Sequence, residues 1–116
     1  MSYQNILVPV DGSQISFSAV KHAAEIAKAF NSKIIVVQVM TLDPYIAAEY
    51  LSNGQTNQLI ERAREFIQDN INAAKEQFVA EGLQVETRLL EGESITHTLA
   101  QAVNDLKIDL VVLSSH

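Results

Sequence analysis

Short apolar runs and longer amphipathic stretches alternate along the chain, and this alternation predicts its secondary structure. The apolar runs contain few polar positions, which is typical of strands buried on both faces of a parallel sheet. The clearest run is "KIIVVQVM", in which four consecutive β-branched residues favour the pleated backbone. The predicted strands cover residues 6–10, 33–40, 83–90 and 109–113.

The stretches between these runs repeat apolar residues every three or four positions, so each predicts a helix with one buried face. The first helix begins near Ser13 or Ser16, which both suit an N-cap, and ends near Asn31. The second is a long helix over residues 56–80. The third opens at Ser94, and the side chains expected to face inwards are Ile95, Leu99, Ala102, Val103 and Leu106.

Strands that alternate with helices imply right-handed crossovers and a parallel sheet. The expected architecture is α/β, a doubly wound parallel sheet in the order β-α-β-α-β-α-β, within a single domain over residues 1–116. The strand 83–90 begins with apolar and polar residues in alternation, so we expect it at an edge of the sheet.

The fourth predicted strand is apolar and stands at the very end of the sequence. We therefore expect either that the domain is incomplete at its C-terminus or that a partner chain covers this strand. Open apolar edges recruit other chains, so we also expect self-association through this edge, or poor stability.

Composition narrows the classes of function. A hydrophobic fraction of 47% with 19% charged residues is typical of a globular domain. The net charge of −6 disfavours nucleic acid as a partner, because an acidic surface repels phosphate backbones. No apolar run is long enough to cross a membrane, and the N-terminus lacks a basic, apolar leader. The absence of cysteine removes disulfides and thiolate sites, and it is compatible with a reducing cytoplasm.

Several common catalytic and nucleotide-binding motifs are absent. The sequence contains neither the P-loop pattern nor GxGxxG after the first strand. A response-regulator receiver would need clustered acids after the first strand and a phosphoacceptor aspartate after the third, whereas only Asp11 follows the first strand and Glu91-Gly92 follows the third. Ser13 and Ser16 have no histidine placed as a base, and the three histidines suit surface positions better than a metal site. An enzyme, at most a slow ATPase, is therefore the least favoured class.

The ends of the predicted strands offer the best candidate site. If the first strand is central, Asp11, Val39 and the tail from Leu113 converge at one edge of the sheet, where ligands of such folds bind. A carboxylate there can accept hydrogen bonds from two ribose hydroxyls, and exposed backbone at Val39 can pair with an adenine edge. The tail can bind phosphate through its amides. Alternatively, Asp11 simply caps the first helix.

The same residues resemble the universal stress protein family. The matching segments are "ILVPVDGS", "IIVVQVM", "LEGES" and "DLVVLSSH", which occur in the family's order over essentially the whole chain. The resemblance implies a doubly wound fold with five parallel strands and four helices, of which this sequence supplies four strands and three helices.

The resemblance also implies a site for an adenine nucleotide. Pro9, Val10 and Asp11 would line the ribose and adenine side, Val39 would bond adenine through its main chain, and Leu113 would pack beside the base. In nucleotide-binding members a phosphate loop of form G-x2-G-x9-G-[ST] follows the fourth strand. Its first glycine is replaced here by Ser114. Ser115 and His116 follow, and the remaining motif positions lie beyond them.

The function implied is that of a cytoplasmic stress-response regulator that binds ATP, with Mg²⁺ arriving on the nucleotide, and that acts as a homodimer. The alternative, suggested by Ser114, is a member that binds no nucleotide and acts through dimerisation and protein partners.

Overall fold

The computed structural model describes residues 4–10, 17–41 and 56–113. Within these residues, four strands and three helices alternate as the sequence predicts. The elements are β1 (Asn5–Pro9), α1 (Phe17–Phe30), β2 (Lys33–Thr41), α2 (Thr56–Val79), β3 (Gln84–Gly92), α3 (Ile95–Asp105) and β4 (Leu110–Val111). All described pairs of strands are parallel, in the order β3-β2-β1-β4, which confirms the predicted α/β class and the edge position of β3.

The main core lies on one face of the sheet, beneath α1 and α2. Alternate residues of each strand point to this face, because side chains in a strand alternate with a period of two. The helices add the buried positions of their apolar stripes, which recur every three or four residues. The buried residues of this cluster are Ile6, Val8, Val20, Ala23, Ala27, Ile34, Val36, Met40, Ile67, Ile71, Ala74, Phe78 and Val112.

A smaller core lies on the opposite face, beneath α3. It consists of the intervening strand residues Leu7, Ile35 and Val37, with Leu99 and Val103 of α3 packed against them. The crossover through α3 carries the chain from β3 past β2 and β1 to β4. The direction of winding therefore reverses between β1 and β4, which is where ligands bind in open α/β sheets.

The helix boundaries follow from local chemistry. Asn31 adopts a positive φ of 54°, a conformation that asparagine tolerates well, and α1 ends there as predicted. Ser94 caps α3 as predicted, since its Oγ accepts a hydrogen bond from the N–H of His97 at 3.3 Å. Ser13 and Ser16, the predicted caps of α1, lie outside the described residues.

Three expectations about these elements are wrong. β4 is not a buried strand over 109–113: it pairs only at Leu110–Val111, and the side chain of Val111 is 40% exposed because no described strand covers the outer edge of β4. Ile95 does not face inwards but is 55% exposed, because it is the first residue of α3 and packs into neither core cluster. β3 continues through Gly92 instead of ending at Leu90, because its pairing with β2 extends to Thr41.

A carboxylate holds the start of β4 beside the start of β1. Asp109 Oδ2 accepts the backbone N–H groups of Gln4 at 2.8 Å and Asn5 at 3.0 Å. The N–H of Asp109 donates back to the carbonyl of Asn5 at 2.9 Å, and Asn5 Nδ2 donates to the carbonyl of Lys107 at 3.2 Å. These bonds anchor the short β4 at its amino end.

Ion pairs on the surface connect separate parts of the fold, and one forms within β3. Lys28 of α1 lies 2.8 Å from Glu81, and Glu86 of β3 lies 3.1 Å from Arg88 and 3.3 Å from Lys33. The hydrogen bond from Lys28 lowers the pKa of Glu81, and its positive charge adds to this effect. The pKa of Glu86 is lowered first by the hydrogen bond from Arg88 and further by Lys33.

We expect the pair Lys28–Glu81 to stabilise the fold at neutral pH and to lose this effect in acid. The folded-state pKa of Glu81 lies below its ordinary value of 4.5, so its contribution is present above pH 4.5 and is lost as the pH falls through the lowered pKa. In urea titrations, the difference in unfolding free energy between wild type and Lys28→Gln should therefore shrink below pH 4.5.

The matched control for this experiment is Lys75→Gln. Lys75 is exposed and forms no ion pair with any residue that the structure describes. Its substitution should produce no such trend with pH. A destabilisation by Lys28→Gln that stays constant down to about pH 3 would contradict the prediction.

Candidate functional site

A pocket lies at the carboxyl edge of the sheet, where β1 is flanked by β2 and β4. Its cavity volume is about 230 Å³, smaller than the roughly 300 Å³ at which pockets for whole drug-sized ligands begin. The residues that line it are Pro9, Val10, Gln38, Val39, Ile95, Leu99 and Leu113. The pocket therefore sits at the reversal of winding, where ligands bind in open α/β sheets.

The pocket brings together half of the residues predicted from the sequence. Pro9, Val10, Val39 and Leu113 all line it, although they come from three different strand ends. Their convergence requires β1 to be central, as the strand order shows. The other four predicted residues lie outside the described residues, and they are Asp11, Ser114, Ser115 and His116.

The backbone of Val39 is aimed at the pocket's β1 side. The carbonyl of Val37 accepts a hydrogen bond from the N–H of Val10 at 2.8 Å, so the polar backbone groups of Val37 face β1. Along an extended strand the backbone polar groups point alternately to one neighbour and the other. Val39 lies two residues after Val37, so its N–H and C=O also face β1. The last described pair between β1 and β2 is Pro9 with Val37, which places Val39 just past the ladder. A donor and an acceptor thus stand side by side at the pocket.

Two apolar side chains that the sequence did not assign to a site form the helical wall. Ile95 and Leu99 are four residues apart, so they lie one above the other on α3. Leu99 also packs against the smaller core, whereas Ile95 stands at the pocket mouth. The signal that could have found them is the position of this helix, whose first turn follows the end of β3 at the ligand-binding edge of the sheet.

Among the described residues that line the pocket, Gln38 carries the one polar side chain, and the sequence pattern did not identify it. It is 8% exposed, and its Oε1 is buried without a hydrogen-bond partner among the described residues. An unsatisfied buried acceptor costs free energy, on the order of 1–3 kcal/mol. A glutamine inside an otherwise apolar strand was the available signal in the sequence.

No charged side chain lines the described pocket. Glu91, near the end of β3, is engaged elsewhere: its Oε1 accepts a hydrogen bond from Arg64 Nε at 2.8 Å, and this hydrogen bond is the main reason why the pKa of Arg64 is raised. The described residues contain no group of three acids or histidines able to hold a metal ion. Within the described residues, the pocket thus offers apolar side chains together with the polar backbone groups of Val39.

The described helices are each too short or too polar to span a bilayer. His22 and His97, expected at the surface, are both exposed on helices.

Comparison with known proteins identifies the family. The model of the universal stress protein family matches residues 2–116. A universal stress protein of Methanocaldococcus jannaschii is 27% identical over 113 residues, which cover 97% of this chain and 65% of that protein. The chain thus spans about two thirds of the length of this curated relative.

Solved structures of the family share the fold. A universal stress protein family member from Burkholderia pseudomallei superposes with a TM-score of 0.74 at 26% identity, covering 98% of this chain and 83% of that one. A universal stress protein crystallised in complex with cAMP superposes with a TM-score of 0.63 at 25% identity, covering 96% of this chain and 71% of that one. Since the family model matches almost every residue, the chain belongs to the universal stress protein family.

Proposed function

We propose that this protein binds an adenine nucleotide, ATP in the first instance, and that it acts as a cytoplasmic regulator of the stress response. The observation that carries the proposal is the pocket at the reversal of winding, where Pro9, Val10, Val39 and Leu113 converge from three strands. Regulation would follow if the bound nucleotide orders the chain around the strand ends and so changes which partners dock.

The pocket suits the base of the nucleotide. Its walls are apolar, and the N–H and C=O of Val39 offer the donor and acceptor that pair with the edge of adenine. A volume of about 230 Å³ accommodates a base but not a whole nucleotide, so the ribose and phosphates would extend over the edge of the sheet. Asp11 directly follows Val10 in the sequence, and we assign to it the ribose hydroxyls.

We assign the phosphates to the chain after Leu113, including Ser114, Ser115 and His116. No carboxylate lines the described pocket, so Mg²⁺ would be held mainly by the phosphates that it accompanies. The family member crystallised with cAMP supports an adenine nucleotide as the ligand class. Binding rather than catalysis is proposed, because no titratable side chain lines the described pocket to act as an acid or base.

A calorimetric titration of ATP with Mg²⁺ into the 116-residue chain tests the proposal. Wild type should bind, and Asp11→Ala should weaken binding by about 1–3 kcal/mol, or about 5- to 150-fold, because a charged acceptor for the ribose hydroxyls is lost. Asp69→Ala, at an exposed acid on α2, is the matched control and should leave the affinity unchanged. Absence of binding by wild type would contradict the nucleotide site, and an unchanged affinity in Asp11→Ala would contradict the ribose assignment.

A second candidate function is association without nucleotide. The observation that favours it is the outer edge of β4, where Val111 is 40% and Leu113 is 69% exposed. Apolar strand edges pair readily with other chains, and a homodimer built on this edge would cover both side chains. This function predicts concentration-dependent sedimentation together with no heat in the ATP titration. The first function predicts that heat regardless of the oligomeric state.

A further inference from the structure

Pro9 occupies an unusual place in the sheet. It is the last residue of β1, and β1 lies between β2 and β4. Proline has no N–H to donate, so it is normally confined to edge strands, strand starts and bulges. A proline flanked by strands on both sides must leave one ladder without a donor.

The hydrogen bonds show which ladder is affected. The N–H of Val112 donates to the carbonyl of Leu7 at 2.9 Å, so the backbone groups of Leu7 face β4. Pro9 is two residues further along the same strand, and its nitrogen therefore faces β4 as well. Val10, by contrast, faces β2 and donates to Val37 at 2.8 Å. The missing N–H thus falls on the β4 side, and the β2 side of the ladder is intact.

The pairing of β1 with β4 ends earlier along β1 than its pairing with β2. β1 and β2 remain paired through Pro9 and Val37, whereas the last described pair between β1 and β4 is Leu7 with Val111. If the second ladder continued regularly, the N–H of residue 9 would donate to the carbonyl of Val112. The carbonyl of Val112 points towards β1, as the N–H of the same residue does. It receives no hydrogen bond from any residue in the described ranges.

We propose that Pro9 is a positioning residue that keeps the crevice between β1 and β4 open. The gap adjoins the pocket, because Pro9 and Leu113 both line it. The open ladder leaves the Val112 carbonyl as an acceptor for a hydroxyl or amino hydrogen of the ligand. This role rests on the proposed nucleotide function and adds to it a residue that determines access to the site.

Pro9→Ala and Pro9→Val test the role, because each restores the N–H at residue 9. Amide exchange followed by NMR should show this N–H protected by at least about 100-fold relative to an unstructured peptide, as expected of a ladder hydrogen bond. The amide of Val112, already bonded to Leu7, is the internal reference. The affinity for ATP should fall about tenfold while the melting temperature does not fall. If Pro9 merely supported the fold, its substitution would lower the melting temperature of the protein together with its affinity for ATP.

The outcomes separate the two proposals. Fast exchange at residue 9 in both variants would show that the ladder does not extend, and it would overturn the role of Pro9 whatever the affinity. A protected amide with unchanged affinity would overturn it as well, because closing the gap would then not matter for binding. Wild type that fails to bind ATP would contradict the proposed function, whereas amide exchange, which needs no ligand, still decides whether Pro9 holds the ladder open.

Discussion

Ile95→Trp is expected to weaken ATP binding by more than about 100-fold, or about 2.7 kcal/mol. Ile95 begins α3 and lines a pocket of about 230 Å³, so an indole at this position would occupy much of the space that we assign to the base. The substitution should leave the fold intact, because Ile95 is 55% exposed and lies outside both core clusters. Calorimetry for binding and circular dichroism for the melting temperature measure the two effects separately.

The matched control is Thr96→Trp. Thr96 is the next residue of the same helical turn, is exposed and does not line the pocket. An indole there adds the same bulk to α3 and should leave the ATP affinity within about twofold of wild type. Binding by Ile95→Trp at wild-type strength would show that the ligand does not use this pocket, and would remove the assignment of the base.

Gly92→Ala is expected to destabilise the protein by about 1–3 kcal/mol. Gly92 ends β3, and a Cβ at this position would overlap Thr98 Oγ1 and lie 3.3 Å from Thr98 Cβ. The glycine therefore permits the close approach of α3 to β3 that sets the helical wall of the pocket. Urea denaturation measures the free energy of unfolding, and the slope of the transition checks that unfolding remains two-state.

A double substitution tests the steric reason. Thr98→Ala removes Oγ1, so Gly92→Ala should cost less in that background than in wild type, with a coupling energy of about 0.5–2 kcal/mol. Gly82→Ala provides the contrast: Gly82 has φ of 81° and nothing within 4 Å of an added Cβ, so its cost comes from backbone strain. Thr98→Ala should not reduce that cost. Strictly additive effects of Gly92→Ala and Thr98→Ala would contradict the clash.

Local periodicity was sufficient to predict most elements. The helix predicted over 56–80 is observed as Thr56–Val79, and the strand predicted over 33–40 is observed as Lys33–Thr41. These patterns could be read because each helix or strand carries its own apolar face, at a spacing of 3.6 or 2 residues. The parallel α/β class followed from the order of elements, since β-α-β units almost always join parallel strands by a right-handed crossover.

The strand ends were predicted as a site, but the full set of pocket residues was not. Pro9, Val10, Val39 and Leu113 were identified because each stands near the tip of a predicted strand, and the tips of parallel strands share one edge. Ile95 was expected to face the core, and Gln38 was not considered. Their places in the pocket depend on neighbours that are distant in the sequence, so the spacing of apolar residues along the chain could not reveal them.

The sequence by itself determined the elements, their order, the alternating faces of the strands and the family to which the chain belongs. The elements and the faces of the strands depend on residues close together in the chain, so periodicity reports them directly, whereas the family is indicated by its matching segments. The tertiary structure decided which backbone groups meet. It set β4 beside β1, directed the nitrogen of Pro9 towards β4, brought Gly92 against Thr98 and exposed Val111. Each of these outcomes depends on the register between strands or helices distant in sequence, which local pattern does not encode.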